Sequence, residues 1–261
     1  MRSLLGLSKH SNILRNETES HWPGLLAPAY RESIGKDRTM QLAQLASDWR
    51  GHVLPHGMMG ERKIDGWRGI VLTGIDGIRR MFTRNGHWIE GTGHCLYFLA
   101  HMERAAGEPM VWDGEFQVNG NLADTKRWAE SQWKQGGEAG HFYLFDCLPL
   151  SAWKAGGDPT PLYQRKARLQ ALYQAVIEDE ALAWEFRPGS RGDDGWLRSV
   201  SVLPDTWVFN AQGAIGDARR IWAEGGEGVV LKDVEAGYVR GRNASWMKIK
   251  AENSHKWSIA A

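Results

Sequence analysis

The sequence predicts an α+β fold in which largely antiparallel sheets are flanked by helices. Short runs rich in Val, Ile, Leu and Phe recur along the chain, and turn formers such as the GIDG at 74–77 separate them. A few segments between these runs show the 3.6-residue apolar period of amphipathic helices. Strands and helices do not alternate regularly, which argues against a parallel βαβ sheet.

The N-terminal part is predicted to contain an irregular lead-in followed by a helix. Residues 1–36 are rich in turn formers and polar groups and show no clear period. We expect one folded domain to occupy 37–261. Asp37 is predicted to cap its first helix. The apolar residues of that helix recur at i, i+3, i+4 and i+7, at Leu42, Leu45, Ala46 and Trp49.

The central part of the chain predicts a hairpin, two helices and two further strands. Residues 67–86, WRGIVLTGIDGIRRMFTRNG, have the two apolar runs and Asp-Gly turn of a β-hairpin. The segment 95–107 predicts a helix that ends at Gly107, and 125–137 predicts a helix with glycines at its end. Strands are predicted in PMVWDGEFQV and HFYLFDCLPL.

The C-terminal half contains the clearest helix signal. In PLYQRKARLQALYQAVIED, residues 161–179, an apolar face is predicted to carry Leu162, Leu169, Leu172, Tyr173 and Val176. Later strands are predicted at 196–202, 227–232 and 245–250.

Composition describes an ordinary globular protein. Of 261 residues, 42% are hydrophobic and 24% are charged, values far from those of disordered chains. The 32 Lys and Arg nearly balance the 31 Asp and Glu. Any nucleic-acid partner would therefore have to be bound by a local basic patch and not by overall charge. Cys95 and Cys147 form no CxxC pair, and we expect two free thiols. Without a signal peptide or membrane span, we expect a cytoplasmic protein.

The stretch ERKIDGWRG, residues 61–69, gathers reactive residue types. Lys63, Asp65, Gly66 and Arg68 fall within six positions next to apolar residues that suit a strand. Taken alone, the pattern favours a hairpin strand whose Lys and Arg are solvated and whose Asp-Gly forms a turn. Support for a functional interpretation must come from elsewhere in the chain.

That support comes from five further motifs that follow in order. They are TRNG (83–86), DGEF (113–116), YLFDCL (143–148), EGVVLK (227–232) and WMKIK (246–250). From about residue 61 to 250 the series resembles the covalent nucleotidyltransferases, and specifically the ATP-dependent DNA ligases. The resemblance implies an ATP-grasp-like nucleotidyltransferase (adenylation) domain.

The resemblance implies a three-step reaction that explains the residue types. AMP moves from ATP onto a lysine, then onto the 5′-phosphate of a nick in duplex DNA, and the 3′-hydroxyl finally displaces it. Lys63 is then the nucleophile. Because a lysine amine attacks only when it is neutral, nearby cations such as Lys248 and Lys250 favour the reactive form. Asp65 orients the nucleophile or the incoming 3′-hydroxyl.

The resemblance also implies residues that bind ATP. Glu61 is expected to recognise the adenine edge and Phe145 to stack on the ring. Arg68 and Arg84 are expected to contact ribose and phosphate, and Glu115 to hold the ribose hydroxyls.

A Mg²⁺ site and an α-phosphate site complete the expected set. Glu227, with Glu115, is expected to ligate Mg²⁺. Lys232, Lys248 and Lys250 are expected to surround the α-phosphate, where negative charge grows during displacement.

Several assignments have simpler explanations. Phe145 lies in an apolar strand and suits core packing. Lys248 and Lys250 alternate with apolar residues, as they do in an amphipathic strand with a solvated face. Glu227 follows two glycines and suits a surface turn.

Other members of the superfamily remain as alternatives. RNA ligases usually carry a small residue where this chain has Arg68, and capping enzymes usually lack the Glu-Gly that starts EGVVLK. An RNA ligase, a capping-type nucleotidyltransferase and a nucleotide-binding module that needs a partner chain are retained as alternatives to a monomeric DNA ligase.

ATP-dependent ligases follow the WMKIK-like motif with an OB-fold. Eleven residues remain after Lys250, whereas a five-stranded barrel needs on the order of 60. We therefore expect no OB-fold domain in this sequence. Either the sequence is a piece of a longer protein, or it is a lone adenylation domain that acts by itself or with a partner chain that supplies the barrel.

Overall fold

The computed structural model of the protein describes residues 42–74, 76–131, 139–179 and 199–252. The elements, in chain order, are β1 Gln44–Asp48, β2 Met58–Arg62, β3 Trp67–Thr73, β4 Arg79–Phe82, β5 Trp88–Ile89, α1 Gly93–Ala106, β6 Met110–Gln117, α2 Leu122–Glu130, β7 His141–Pro149, α3 Leu150–Lys154, β8 Gly157–Asp158, α4 Leu162–Ile177, β9 Val200–Val202, β10 Asp205–Val208, α5 Ala211–Ala223, β11 Gly228–Asp233, β12 Tyr238–Val239 and β13 Gly241–Lys250. The predicted lead-in at 1–36 and its cap at Asp37 lie outside the described residues.

Two main sheets organise the domain. A five-stranded sheet has the order β1-β13-β11-β2-β10, and a six-stranded sheet has the order β5-β4-β3-β6-β7-β9. A small two-stranded sheet pairs β8 with β12. Among the described strands, every pairing is antiparallel except β1 with β13 and β7 with β9. The α+β class with largely antiparallel sheets is confirmed.

The six-stranded sheet contains the predicted hairpin. Strands β3 and β4 pair in antiparallel register from Ile70 opposite Phe82 to Thr73 opposite Arg79. The turn closes with a hydrogen bond from the Gly77 amide to the Gly74 carbonyl, and Gly77 has a φ of 76°, which favours glycine. Strand β6 then pairs with both β3 and β7, so the strands that carry Arg68, DGEF and YLFDCL lie side by side.

Helices α1 and α4 cover the core of the six-stranded sheet. Their apolar residues join the strands in one buried cluster that includes Phe98, Trp112, Phe142 and Leu169. Helix α1 ends at Gly107, which adopts the left-handed conformation, as the sequence predicted. Helix α2 ends at Glu130, before the end predicted from the sequence. The rest of that prediction, at 132–138, lies outside the described residues.

The helix predicted across 42–49 is wrong, because Gln44–Asp48 form strand β1. This strand pairs in parallel with β13, where Gln44 lies opposite Gly241 and Asp48 opposite Lys248. The apolar residues fit a helical period, but β13 is ten residues long and offers an edge to which β1 bonds. Helix propensity is a weak preference that such tertiary pairing overrides.

Three elements of the five-stranded sheet layer were not predicted. Strand β2 has a glycine at its centre and is buried along four of its five residues, so it shows no alternation. Strand β10 is only four residues long. Helix α5 did carry a signal, since the Asn210 side chain caps it and its buried residues recur at helical spacing. Its two internal glycines weakened that signal.

The first motif does not lie on one strand. Glu61 and Arg62 end β2, residues 63–66 form the connection, and Arg68 lies on β3. Because β2 and β3 belong to different sheets, this connection joins the two sheets.

Cys95 and Cys147 are both buried, and neither forms a disulfide within the described part of the chain. Among the described residues, no helix has both the length and the apolarity that crossing a membrane requires.

Two glycine substitutions test the fold in opposite directions. Gly216 is exposed in α5, and a Cβ there meets no atom within 4 Å, so Gly216→Ala is expected to stabilise the protein by about 0.5–1 kcal/mol.

Gly228 has a φ of 145°, and a Cβ there would lie 2.0 Å from the Ile249 carbonyl oxygen. Gly228→Ala is expected to destabilise by at least about 1–3 kcal/mol. Urea unfolding measures both, and equal effects of the two variants would contradict the described backbone.

Candidate active site

One cleft of about 850 Å³ gathers the motif residues of both sheets. The structure brings together every residue that the sequence analysis selected. The cleft is lined by Glu61, Lys63, Asp65, Arg68, Arg84, Glu115, Phe145, Glu227, Lys232, Lys248 and Lys250, among others.

Lys63 lies in this cleft next to Glu227 and Lys250. Its Nζ donates to Glu227 Oε2 at 2.5 Å, and Lys250 Nζ lies 2.8 Å from Glu227 Oε1. Strand pairing sets this arrangement, because the backbone amide of Lys63 donates to the Gly228 carbonyl and Gly228 lies opposite Lys250. One carboxylate therefore bridges two lysine side chains.

The two lysines keep Glu227 ionised. Burial alone would raise the pKa of the Glu227 carboxyl, but hydrogen bonds from Lys250 and Lys63 outweigh burial and hold this pKa below its ordinary value. The same hydrogen bond from Lys250 raises the pKa of the Lys250 ammonium group, against a smaller effect of burial. Glu227 is thus a charged acceptor, not a simple surface acid.

Arg68 is held in a fixed orientation by Asp113. Its Nε and Nη2 donate to the two carboxylate oxygens of Asp113 at 2.5 and 2.7 Å, and Nη2 also donates to the Gln44 carbonyl at 2.9 Å. The guanidinium carbon lies 4.6 Å from the centre of the Phe145 ring. Asp113 was not predicted as a site residue, although it is the first residue of the DGEF motif.

Glu61 is clamped between two buried lysines. Lys166 Nζ donates to Glu61 Oε1 at 2.5 Å, and Lys232 Nζ lies 2.6 Å from Glu61 Oε2. Both Glu61 and Lys232 have only 2% of their surface exposed. Burial lowers the pKa of the Lys232 ammonium group, although Glu61 opposes that effect. Lys166 was also missed, and it lies in the helix segment that the sequence analysis quoted.

Two aromatic side chains form an apolar wall of the cleft. Phe145 and Trp246 meet edge to face, with ring centres 5.8 Å apart. Lys232 Nζ lies 4.2 Å from the centre of the Phe145 ring and 4.0 Å from that of Trp246. Trp246 is the first residue of WMKIK and was missed, because 14 tryptophans in the chain gave no reason to select one.

Glu115 lies opposite Arg68 in the β3–β6 pairing. Burial raises the pKa of the Glu115 carboxyl to about 7, and the attraction of Arg68 and Lys63 only partly offsets this effect. Near neutral pH, Glu115 is therefore present in both protonation states.

The remaining predicted residues lie around the mouth of the cleft. Asp65 Oδ2 accepts from the amide of Leu122, the first residue of α2, at 3.4 Å. Lys248 Nζ lies 3.3 Å from Asp48 Oδ1. The Arg84 side chain is exposed.

The carboxylates of the cleft fit a magnesium ion held together with a nucleotide. No group of three or more His, Cys, Asp or Glu within the described ranges has a metal-binding arrangement. Mg²⁺, however, is usually held by one or two carboxylates plus phosphate oxygens and water. Glu227 and Glu115 line the same cleft and interact electrostatically, so they provide two such carboxylates.

Comparison with solved structures identifies the fold. The structure of "Pmar-Lig_Pre." superposes with a TM-score of 0.61 and 22% identity over 80% of this chain, which spans only 46% of that protein. The ATP-dependent DNA ligase of bacteriophage T7, complexed with ATP, gives a TM-score of 0.60 at 17% identity, covering 81% of this chain and 69% of the ligase. The Chlorella virus DNA ligase-adenylate gives a TM-score of 0.54 at 19% identity, covering 80% of this chain and 68% of the ligase.

The chain therefore has a nucleotidyltransferase fold. More particularly, its fold is that of the adenylation domains of ATP-dependent DNA ligases. At the level of sequence, no protein family and no curated protein matches the chain.

Glu115 predicts a dependence of stability on pH. Because its pKa is raised in the folded state, the folded protein binds a proton more tightly than the unfolded chain between about pH 4.5 and 7. Stability should therefore fall as the pH rises through this window. Glu115→Gln should lose less stability than the wild type between pH 5 and pH 7.5, as measured by urea unfolding.

The exposed Glu235, which lies in a turn, provides the control. Glu235→Gln should follow the wild-type pH profile. If Glu115→Gln followed that profile as well, burial of Glu115 would not raise its pKa.

Proposed function

We propose that the protein is an ATP-dependent DNA ligase that seals nicks in duplex DNA through a lysine-AMP intermediate and a DNA-adenylate. One observation carries the proposal. The Lys63 amine lies 2.5 Å from Glu227 and shares that carboxylate with Lys250, in a cleft that also collects the other motif residues. A solvated hairpin strand would not bring these groups together.

In the first step, Lys63 Nζ attacks the α-phosphorus of ATP. A nitrogen–phosphorus bond forms, the bond to the bridging oxygen breaks, and pyrophosphate leaves. Lys63 attacks as the neutral amine, so its ammonium proton passes to solvent beforehand, and the contact with Glu227 Oε2 holds Nζ in the cleft. Lys250, on the other oxygen of Glu227, provides positive charge near the phosphate.

A bound Mg²⁺ would neutralise phosphate charge as it develops, and Glu227 and Glu115 are the residues that would hold it. The chain provides further positive charge in the cleft through Arg68, Arg84 and Lys248. Phe145 and Trp246 offer an apolar surface on which a purine ring can pack.

In the later steps AMP passes to the 5′-phosphate of the nick, and the 3′-hydroxyl displaces it to form the phosphodiester bond. Asp65, which also lines the cleft, would orient that hydroxyl. The cleft is also lined by Arg62, Lys126 and Arg242, which suit the phosphate backbone of a DNA duplex. Contacts of this kind make binding weaken steeply with salt.

Lys63 provides the direct test. Incubation with ATP and Mg²⁺ should add one AMP to the wild-type chain, linked to an amine and stable in acid, as measured by intact mass. Lys63→Ala should form no adduct, because the nucleophile is lost. Lys154→Ala, which changes an exposed lysine of α3, should behave like the wild type.

An adduct on Lys63→Ala would refute the assignment of the nucleophile. Preferential labelling by GTP would favour a capping-type enzyme, and preferential sealing of nicked RNA would favour an RNA ligase.

Glu227 provides a second test, with a control three residues away. Glu227→Gln should slow adenylation by about 100-fold or more, because it removes a charged Mg²⁺ ligand and the partner of Lys63. The Mg²⁺ concentration needed for half-maximal rate should rise. Glu224→Gln, which affects exposed ion pairs with Arg62 and Arg220, should leave both quantities unchanged. Wild-type rate and Mg²⁺ dependence in Glu227→Gln would exclude this role.

A further inference from the structure

Tyr238 is buried beside the cleft, and its hydroxyl joins two parts of the site. The residue is 0% exposed on the short strand β12. Its hydroxyl donates to Asp113 Oδ2 at 2.6 Å and accepts from the backbone amide of Gln44 at 3.1 Å. Neither contact follows from any motif that sequence analysis selected.

These contacts close a ring of hydrogen bonds around Arg68. Arg68 donates to both carboxylate oxygens of Asp113 and to the Gln44 carbonyl. Gln44 in turn donates to Tyr238, which donates to Asp113. The four residues come from β3, β6, β1 and β12, so the ring links the two main sheets through the small one.

The ring also determines what Arg68 can offer to a ligand. Nε and Nη2 of Arg68 donate hydrogen bonds to Asp113 and Gln44. Nη1 is therefore the guanidinium nitrogen that makes no hydrogen bond within the ring. The side chain is 15% exposed and lines the cleft. Since a guanidinium is planar, two bonds to Asp113 set the direction in which Nη1 points.

Asp113 is completely buried, so only hydrogen-bond donors of the protein can hold its carboxylate in one orientation. Its carboxylate accepts two hydrogen bonds from Arg68 and one from the Tyr238 hydroxyl. A carboxylate with three donors is held in one orientation, whereas one with fewer donors is freer to rotate.

We propose that Tyr238 is a positioning residue for adenylation, whose hydroxyl fixes Asp113 and thereby directs Arg68 Nη1 toward the phosphate oxygens of the bound nucleotide. The proposal rests on the proposed function for its ligand, and on the hydrogen-bond ring for its geometry. Tyr238 touches no reacting atom, so its effect must pass through Arg68.

Tyr238→Phe removes only the hydroxyl and tests this role. The rate of Lys63 adenylation at saturating ATP should fall at least tenfold, while the ATP concentration for half-maximal rate changes less than threefold. In an Arg68→Lys background the same substitution should add less than a twofold effect, because lysine cannot form the bidentate pair. Tyr173→Phe, whose hydroxyl contacts the Val200 carbonyl at 3.4 Å in the core of the six-stranded sheet, should stay within twofold of the wild type.

A second measurement does not depend on activity. The Arg68 Nε–H signal, assigned by its loss in Arg68→Lys, should exchange slowly with solvent in the wild type by ¹⁵N NMR. In Tyr238→Phe it should exchange at least tenfold faster, and in Tyr173→Phe it should not change. If Tyr238→Phe does not fold, as judged by thermal melting, Asp113→Asn serves as the second variant with the same expected results.

The outcomes separate the two proposals. A wild-type protein that forms no AMP adduct would refute the proposed function, and the exchange rates would then decide by themselves whether Tyr238 positions Arg68. Unchanged exchange and rate in Tyr238→Phe would overturn the inference. An equal loss of rate with and without Arg68→Lys would overturn it as well, because Tyr238 would then act independently of Arg68.

Discussion

The pairing of β11 with both β2 and β13 is the constraint on which the site depends. Lys63 follows the end of β2, Glu227 precedes the start of β11, and Lys250 ends β13. Antiparallel pairing brings these three positions to one end of the sheet, although they are up to 187 residues apart in the chain. The Lys63–Glu227–Lys250 arrangement is therefore a consequence of backbone register, and the reactive groups need no separate scaffold.

The second organising feature is that charges buried around the cleft have opposite charges as neighbours. Asp113 pairs with Arg68, Asp146 pairs with Arg165, and Glu61 lies between Lys166 and Lys232. Removing one member of such a set leaves its partner buried and uncompensated, which costs more than the pair contributes. These pairs hold side chains around the cleft in single orientations. We infer that their value lies in fixing geometry more than in adding stability.

The residues that the sequence selected and the residues that it missed differ in one respect. The selected residues belong to short motifs in which reactive residue types are close together, as Lys63, Asp65 and Arg68 are. The missed ones act on those residues from other segments. Asp113 and Trp246 lay inside quoted motifs but resembled ordinary strand residues, and Lys166 resembled an exposed helix lysine. Tyr238 carried no signal at all, because its role exists only where β12, β6 and β1 meet.

The sequence by itself determined the α+β class, the β3–β4 hairpin, helices α1 and α4, and eleven of the residues that line the cleft. Local causes suffice for the hairpin and the helices, since turn glycines and apolar periodicity act over a few residues. The eleven cleft residues were instead found from the order of short motifs between residues 61 and 250. Only the tertiary structure decided that 44–48 form a strand and that β2 is a buried central strand of its sheet. Both depend on hydrogen bonds to residues about 170 to 200 positions away in the chain, and no local pattern contains the energy of such long-range pairing.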